Sequence, residues 1–201
     1  MPRAFTDDER ARIRTSLIDA GRTCFLKYGL RKTTIDDLVR RAGIAKGSFY
    51  RFFKSKEELY LELFMEAIPE MMTRLHQASF GRTSDMREAL VLLMEGIAHE
   101  METNDLARII LDDPTEMERF LSTLEYEQLV AKIAEAYAPL VGSIRQAQER
   151  GEIIEGDPQQ LVFCLGMIKF LPLYRETISE PMYESMIRLV PQVIARGLTQ
   201  R

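Results

Sequence analysis

An all-α fold is predicted by three features of this 201-residue chain. Apolar residues recur at helical spacing from one end to the other, and capping or glycine signals separate the apolar stretches. No segment alternates with the two-residue period of a half-buried strand. The expected organisation is a three-helix head over residues 1–56 and a helical body over residues 57–201. Hydrophobic residues make up 46% of the chain, enough for a core, and 29% are charged, which argues against a membrane protein. The first apolar helix carries Arg10, Arg12 and Arg14, so no N-terminal signal is expected.

The net charge of −4 conceals two opposed halves. Residues 1–56 hold 14 Lys and Arg against 6 Asp and Glu, a surplus of +8. The rest holds 13 basic and 25 acidic residues, a deficit of −12. A basic head on an acidic body suits phosphate binding at one end and solvation at the other.

Within the head, Thr6 and Glu9 have the spacing of a capping box. The helix they start carries Ile13, Leu17, Ala20, Cys24, Phe25 and Tyr28 on one stripe and is expected to end at Gly29. Thr33 or Thr34 caps a second helix, with Asp36 and Asp37 at the matching third positions. Its inner face is Ile35, Leu38, Val39 and Ala42, and Gly43 permits a left-handed turn. A third helix starts at Lys46. At a hundred degrees per residue, Phe49, Phe52 and Phe53 share the inward arc. Gly47, Ser48 and Arg51 lie opposite, with Lys46, Tyr50 and Lys54 at the edges.

Two helices joined by a tight glycine turn, the second with a polar outer face, form a helix-turn-helix that fits the major groove of DNA. Gly47 lets the helix start come close to the bases, and free N–H groups there favour phosphate. Lys46, Ser48 and Arg51 are the candidate readers of base edges. Thr34, Tyr50, Lys54 and Lys56 are placed for phosphates, which position without specifying. Ser55 and Glu58 begin the next helix with another capping box.

The wider string resembles the DNA-binding head of the tetracycline-repressor (TetR-type) family of bacterial regulators. The matching residues are Phe25, Gly29, Thr33-Thr34-Ile35, Ala42-Gly43-Ile44, Lys46-Gly47-Ser48-Phe49-Tyr50, Phe53, Lys56 and Leu59, in order and without gaps. The resemblance implies a homodimer whose third helices enter successive major grooves of a near-palindromic operator. It also implies that Tyr50 and Lys56 touch phosphate. Two positions depart from the pattern: Ala45 stands where a capping serine is common, and Phe52 where tyrosine or histidine is common.

In the body, a long helix carries Leu59, Leu63, Phe64, Met71 and Leu75, and Gly81-Arg82-Thr83-Ser84 reads as a loop. The next helix shows Met86, Leu90, Leu93, Met94, Ile97 and Met101. Asn104-Asp105 and Asp113-Pro114 bracket a short helical piece, and a longer helix presents Leu129, Ile133, Tyr137, Leu140 and Ile144 before Gly151. Asp157-Pro158 starts a helix that is apolar all round from Leu161 to Tyr174 except at Lys169. Such a helix has two buried faces, one on its own body and one on a second subunit. The final helix, Met182 to Leu198, adds Met186, Leu189, Val190, Val193 and Ile194. The resemblance pairs these last two helices with their copies as a four-helix dimer interface.

Pro69, Pro139, Pro172 and Pro191 fall inside these patterns, either as kinks that leave a cavity or as unseen helix ends. Ten of the eleven methionines follow residue 56, and methionine lines adaptable apolar sites as readily as it fills ordinary core. The candidate ligand-lining residues are Met94, Met101, Tyr137, Phe163 and Met167. Cys24 and Cys164 lie in apolar stretches and read as reduced, buried thiols of a cytoplasmic protein. His76 and His99 have no metal-binding spacing, and no nucleophile–base pair or phosphate loop is present. The expectation is a non-enzymatic DNA-binding regulator without cofactor, a repressor released from its operator by a small apolar or amphipathic ligand. The alternative is a ligand-independent dimeric regulator controlled by a protein partner.

Overall fold

Local capping sets most helix boundaries in the computed structural model, which describes residues 5–111 and 126–199. Helix α1 (Asp7–Lys32) opens on the expected box, with Glu9 N–H donating to Thr6 Oγ1 at 3.2 Å and Thr6 N–H to Glu9 Oε2 at 2.8 Å. Gly29, at φ 73° and ψ 168°, interrupts its helical backbone. Thr33 then closes this end. Its hydroxyl donates to Gly29 O at 2.7 Å, with Cys24 O at 3.2 Å. Thr34 is therefore the cap of α2 (Ile35–Ala42), in a reciprocal box with Asp37. Gly43 takes the left-handed conformation at φ 70° and ψ 31°, and α3 (Lys46–Phe49) follows with no side-chain cap at Ala45.

Helix α4 (Lys56–Ala78) begins where Glu58 N–H donates to Ser55 Oγ at 3.2 Å. The described residues form two compact units that divide between Glu66 and Ala67, inside α4. In the first, Leu17, Phe25, Leu38, Phe49, Leu59, Tyr60 and Leu63 are fully buried. Each such side chain contributes about 1.5–3 kcal/mol relative to exposure. Phe25 meets Tyr60 edge to face at 5.6 Å. Gly21 lets α1 lie close on α4, since a Cβ there would meet Leu59 Cδ2 at 3.0 Å. Tyr28 is not part of this core. It is 47% exposed, and Lys27 Nζ lies 5.0 Å from its ring centre.

The second unit is arranged around α5 (Met86–Thr103), which Asp85 caps by accepting from Glu88 N–H at 3.0 Å. Its buried residues are Ala89, Leu90, Val91, Leu93, Met94, Ile97 and Ala98. Asn104 ends α5 and also starts α6 (Asp105–Leu111), its Oδ1 accepting from Leu106 and Ala107 N–H. The expected break at Asp113-Pro114 lies outside the described residues, as does the side chain of Leu129. Helix α7 (Tyr126–Glu149) precedes a turn in which Gly151 has φ 69°, and it packs on α8 (Pro158–Leu165). Asp157 caps α8 through Gln159 and Gln160 N–H, as the Asp-Pro signal requires.

The single helix expected over Leu161–Tyr174 is two elements. Helix α8 stops at Leu165 and a 3-10 segment runs Gly166–Tyr174. Pro172 lies inside that segment. It has no N–H to return four residues back, and its ring crowds the carbonyl there, so an α-helix loses support over this stretch. The 3-10 segment and α9 (Glu180–Leu198) both pack on α5. Pro69, Pro139 and Pro191 also lie inside helices rather than at their ends. Both cysteines are free, but only Cys24 is buried; Cys164 is exposed, contrary to expectation. No helix among the described residues is long and apolar enough to cross a membrane.

Candidate nucleic-acid interface and body site

Because α3 contains only four residues, the polar surface depends on how the chain continues after it. Arg51 N–H donates to Ser48 O at 3.1 Å and Phe52 N–H to Phe49 O at 2.9 Å, extending the spiral in tighter turns. Phe49 and Phe53 point into the core, while Phe52 stays half-buried. Lys46, Gly47, Tyr50, Arg51 and Lys54 are exposed along the opposite side, with Ser48 partly covered. A Cβ placed on Gly47 would meet nothing within 4 Å, so the head itself does not require glycine there.

The eight candidate contact residues differ in what their polar groups already do. Lys46 Nζ donates to Asp36 Oδ2 at 2.9 Å, and that bond raises the ammonium pKa. Thr34 Oγ1 accepts from Asp37 N–H at 3.2 Å and donates to Asp37 Oδ2 at 2.6 Å. These bonds from Thr34 hold the Asp37 carboxyl below the usual range. Lys56 Nζ donates to Leu30 O at 2.7 Å, Thr33 O at 3.0 Å and Arg31 O at 3.1 Å. All three ammonium N–H bonds are thus engaged within the head, and a phosphate would have to compete for them.

Ser48, Tyr50 and Arg51 are different. Among the described residues, their side-chain polar groups have no hydrogen-bond partner. The Tyr50 ring sits edge-on to Phe49 at 5.6 Å, and 55% of the residue is exposed. Arg51 lies over the ring of Phe5, with Cζ 4.4 Å from its centroid. Phe5 in turn meets Phe52 at 6.1 Å, and Arg10 Cζ is 5.6 Å from the Phe52 ring centre. Sequence reasoning missed this cluster, because no local spacing links Phe5 to Arg51.

In the body unit the candidates separate as well. Tyr137 of α7 stacks on Phe163 of α8, centroids 5.7 Å apart at 22°, and burial pushes the Tyr137 phenol pKa up. Met94 is fully buried in α5, and Met101 is partly covered near the end of that helix. Met167 is 50% exposed and lies on an outward apolar row with Phe170 and Tyr174. Lys169 sits in the same segment, its pKa lowered by burial and its ammonium 5.1 Å from the Phe170 ring centre. An open depression of about 540 Å³ is lined by Ser84, Asp85, Met86, Arg87, Gly151, Glu152 and Thr199, none of them a candidate. His76 Nε2 is within hydrogen-bond distance of Ser143 Oγ at 2.9 Å, and His99 is exposed.

Comparison with known proteins places the head motif. Residues 17–63 match the family described as bacterial regulatory proteins, tetR family. The HTH-type transcriptional repressor KstR2 of Mycolicibacterium smegmatis is 33% identical over 97 residues, 47% of each chain. A TetR-family transcriptional regulator from Pectobacterium atrosepticum has a similar solved fold, with TM-score 0.72 and 20% identity over 98% of this chain and 99% of that one. The transcriptional regulator FadR from Bacillus subtilis, solved in complex with stearoyl-CoA, gives TM-score 0.59 and 21% identity over 92% of this chain and 98% of that one. With its cap residues, left-handed Gly43 and outward face in place, the head of this chain matches the DNA-binding head of the TetR family of bacterial regulatory proteins.

Proposed function

We propose that this chain is a dimeric repressor that leaves its operator when a small apolar or amphipathic molecule occupies the body. The observation that carries DNA binding is the exposed face of Gly47, Ser48, Tyr50 and Arg51, whose polar groups are uncommitted within the described residues. Ser48 and Arg51 are assigned to base edges, together with Lys46 once it exchanges Asp36 for a base. Tyr50, Lys54 and the Thr34 side are assigned to phosphates. Lys56 adds positive charge behind them while holding the end of α1.

Dimerisation is assigned to the outward apolar rows Met167, Phe170, Tyr174 and Met182, Leu189, Val193, each exposed by 38% or more in the single chain. Large apolar side chains left open along two neighbouring elements suit a protein-binding surface. For the ligand, the FadR structure of similar fold contains stearoyl-CoA, and the Tyr137–Phe163 stack between α7 and α8 is the assigned lining. Met94 and Met101 are adaptable walls of the same site. Met167 is assigned to the dimer face instead. A ligand that binds the body better in one arrangement of the dimer shifts the population away from the operator-binding spacing. A mobility-shift assay on a selected operator, titrated with acyl-CoAs and small aromatics, tests this. Release by at least one class supports it; retention by all of them, together with a body that takes up none of them, contradicts it.

A further inference from the structure

We propose that Phe5 is a positioning residue for DNA recognition, acting through Arg51; the inference rests on the reading that Arg51 contacts the operator. The Phe5 ring lies under the Arg51 guanidinium at 4.4 Å and against Phe52 at 6.1 Å, with an interplanar angle of 34°. Arg10 sits on Phe52 at 5.6 Å, so Phe52 supports Phe5 from a ring that α1 also engages. Tyrosine or histidine at position 52 would put a polar tip in this contact. Phenylalanine gives Phe5 an apolar surface.

The chemistry of the support matters. A carboxylate would also hold Arg51, but it would consume the N–H groups needed by a base, as Asp36 does for Lys46. An aromatic face attracts a guanidinium through its quadrupole and uses none of its N–H bonds. The planar fork stays available for bidentate bonding to a guanine edge. Arg51 is exposed and has no carboxylate partner among the described residues, so without Phe5 its long side chain samples many rotamers. Immobilising such a side chain on binding costs affinity, and a residue that restrains it beforehand lowers that cost by about two- to tenfold in Kd.

The test uses the full chain and a duplex selected by the wild-type protein from a random pool. Phe5→Leu keeps apolar volume against Phe52 and removes the ring face; Phe5→Tyr keeps both. Expected are a two- to tenfold weaker Kd for Phe5→Leu, an unchanged salt slope because no charge is altered, and recovery by Phe5→Tyr. In an Arg51→Ala background, Phe5→Leu should weaken binding no further, because its effect passes through the missing guanidinium. Wild-type binding by Phe5→Leu, or losses that add in the double variant, would overturn the proposal. If Arg51→Ala alone leaves operator affinity intact, the assignment of Arg51 to DNA falls and the proposal falls with it. Thermal unfolding of Phe5→Leu and Phe5→Tyr confirms that binding is compared between folded heads. A loss shared equally by both variants would also count against the proposal.

Discussion

Replacing Lys56 by alanine removes an ammonium that holds Leu30 O, Arg31 O and Thr33 O together. The expected cost to the head is about 1–3 kcal/mol, because three carbonyls lose a charged donor. Thermal unfolding checks this, and an unchanged midpoint would mean that water replaces the ammonium without loss. Gly47→Ala should behave in the opposite way. Alanine fits open space and favours helix, so stability should hold or rise by at most about 1 kcal/mol. Operator affinity should fall by the worth of a displaced base contact, about 1–3 kcal/mol. If Gly47→Ala binds like wild type, the close approach assigned to position 47 is wrong. Both residues belonged to one expected contact set. The structure separates them because the acceptors of Lys56 lie 23 to 26 positions upstream, beyond the reach of local spacing.

Elements whose boundaries depend on neighbours in sequence were legible in advance. The Thr6–Glu9 box, the glycine turns and the Asp157 cap are all local devices, and all formed. The 3-10 segment was not legible, because apolar periodicity does not distinguish a tightened spiral from an α-helix. Nor was the tie between α5 and α9 legible. Tyr183, 3% exposed, donates its hydroxyl to Glu102 Oε1 at 2.5 Å, and Arg175 bonds both Glu102 and Glu180. Burial first, then the Glu102 hydrogen bond, pushes the Tyr183 phenol well above its ordinary value near 10. A raised folded-state pKa means this contribution is complete below about pH 10 and is lost as pH rises beyond it. Tyr183→Phe should cost about 1 kcal/mol at neutral pH. The gap to wild type should narrow in alkaline unfolding curves. A constant gap from pH 8 to 11 would exclude the linkage.

For the whole molecule, a +8 stretch and a −12 remainder were visible from composition, and the last two helices were already expected to carry the contact between copies; which of their side chains stay open needed the structure. An all-round apolar segment implied one face on its own body and one on a second subunit, without saying which residues belong to which. In the folded chain one face holds Val162, Leu165 and Ile168, and the other leaves Met167, Phe170 and Tyr174 open. Combining Leu189→Glu with Val193→Glu on α9 should give a monomer by sedimentation, since both residues are at least 58% exposed and need not unfold the chain. Operator affinity should then drop by about 100-fold or more, as two linked heads become one. The central claim is that this chain reads DNA sequence with the face around α3 as a symmetric pair. Selection of the full chain against random duplexes tests it most directly. Enrichment of an inverted repeat is expected, with Arg51→Ala relaxing the preference at one symmetric base pair per half-site. Recovery of no enriched sequence, or of a repeat whose base preferences Arg51→Ala and Gly47→Ala leave untouched, would contradict it.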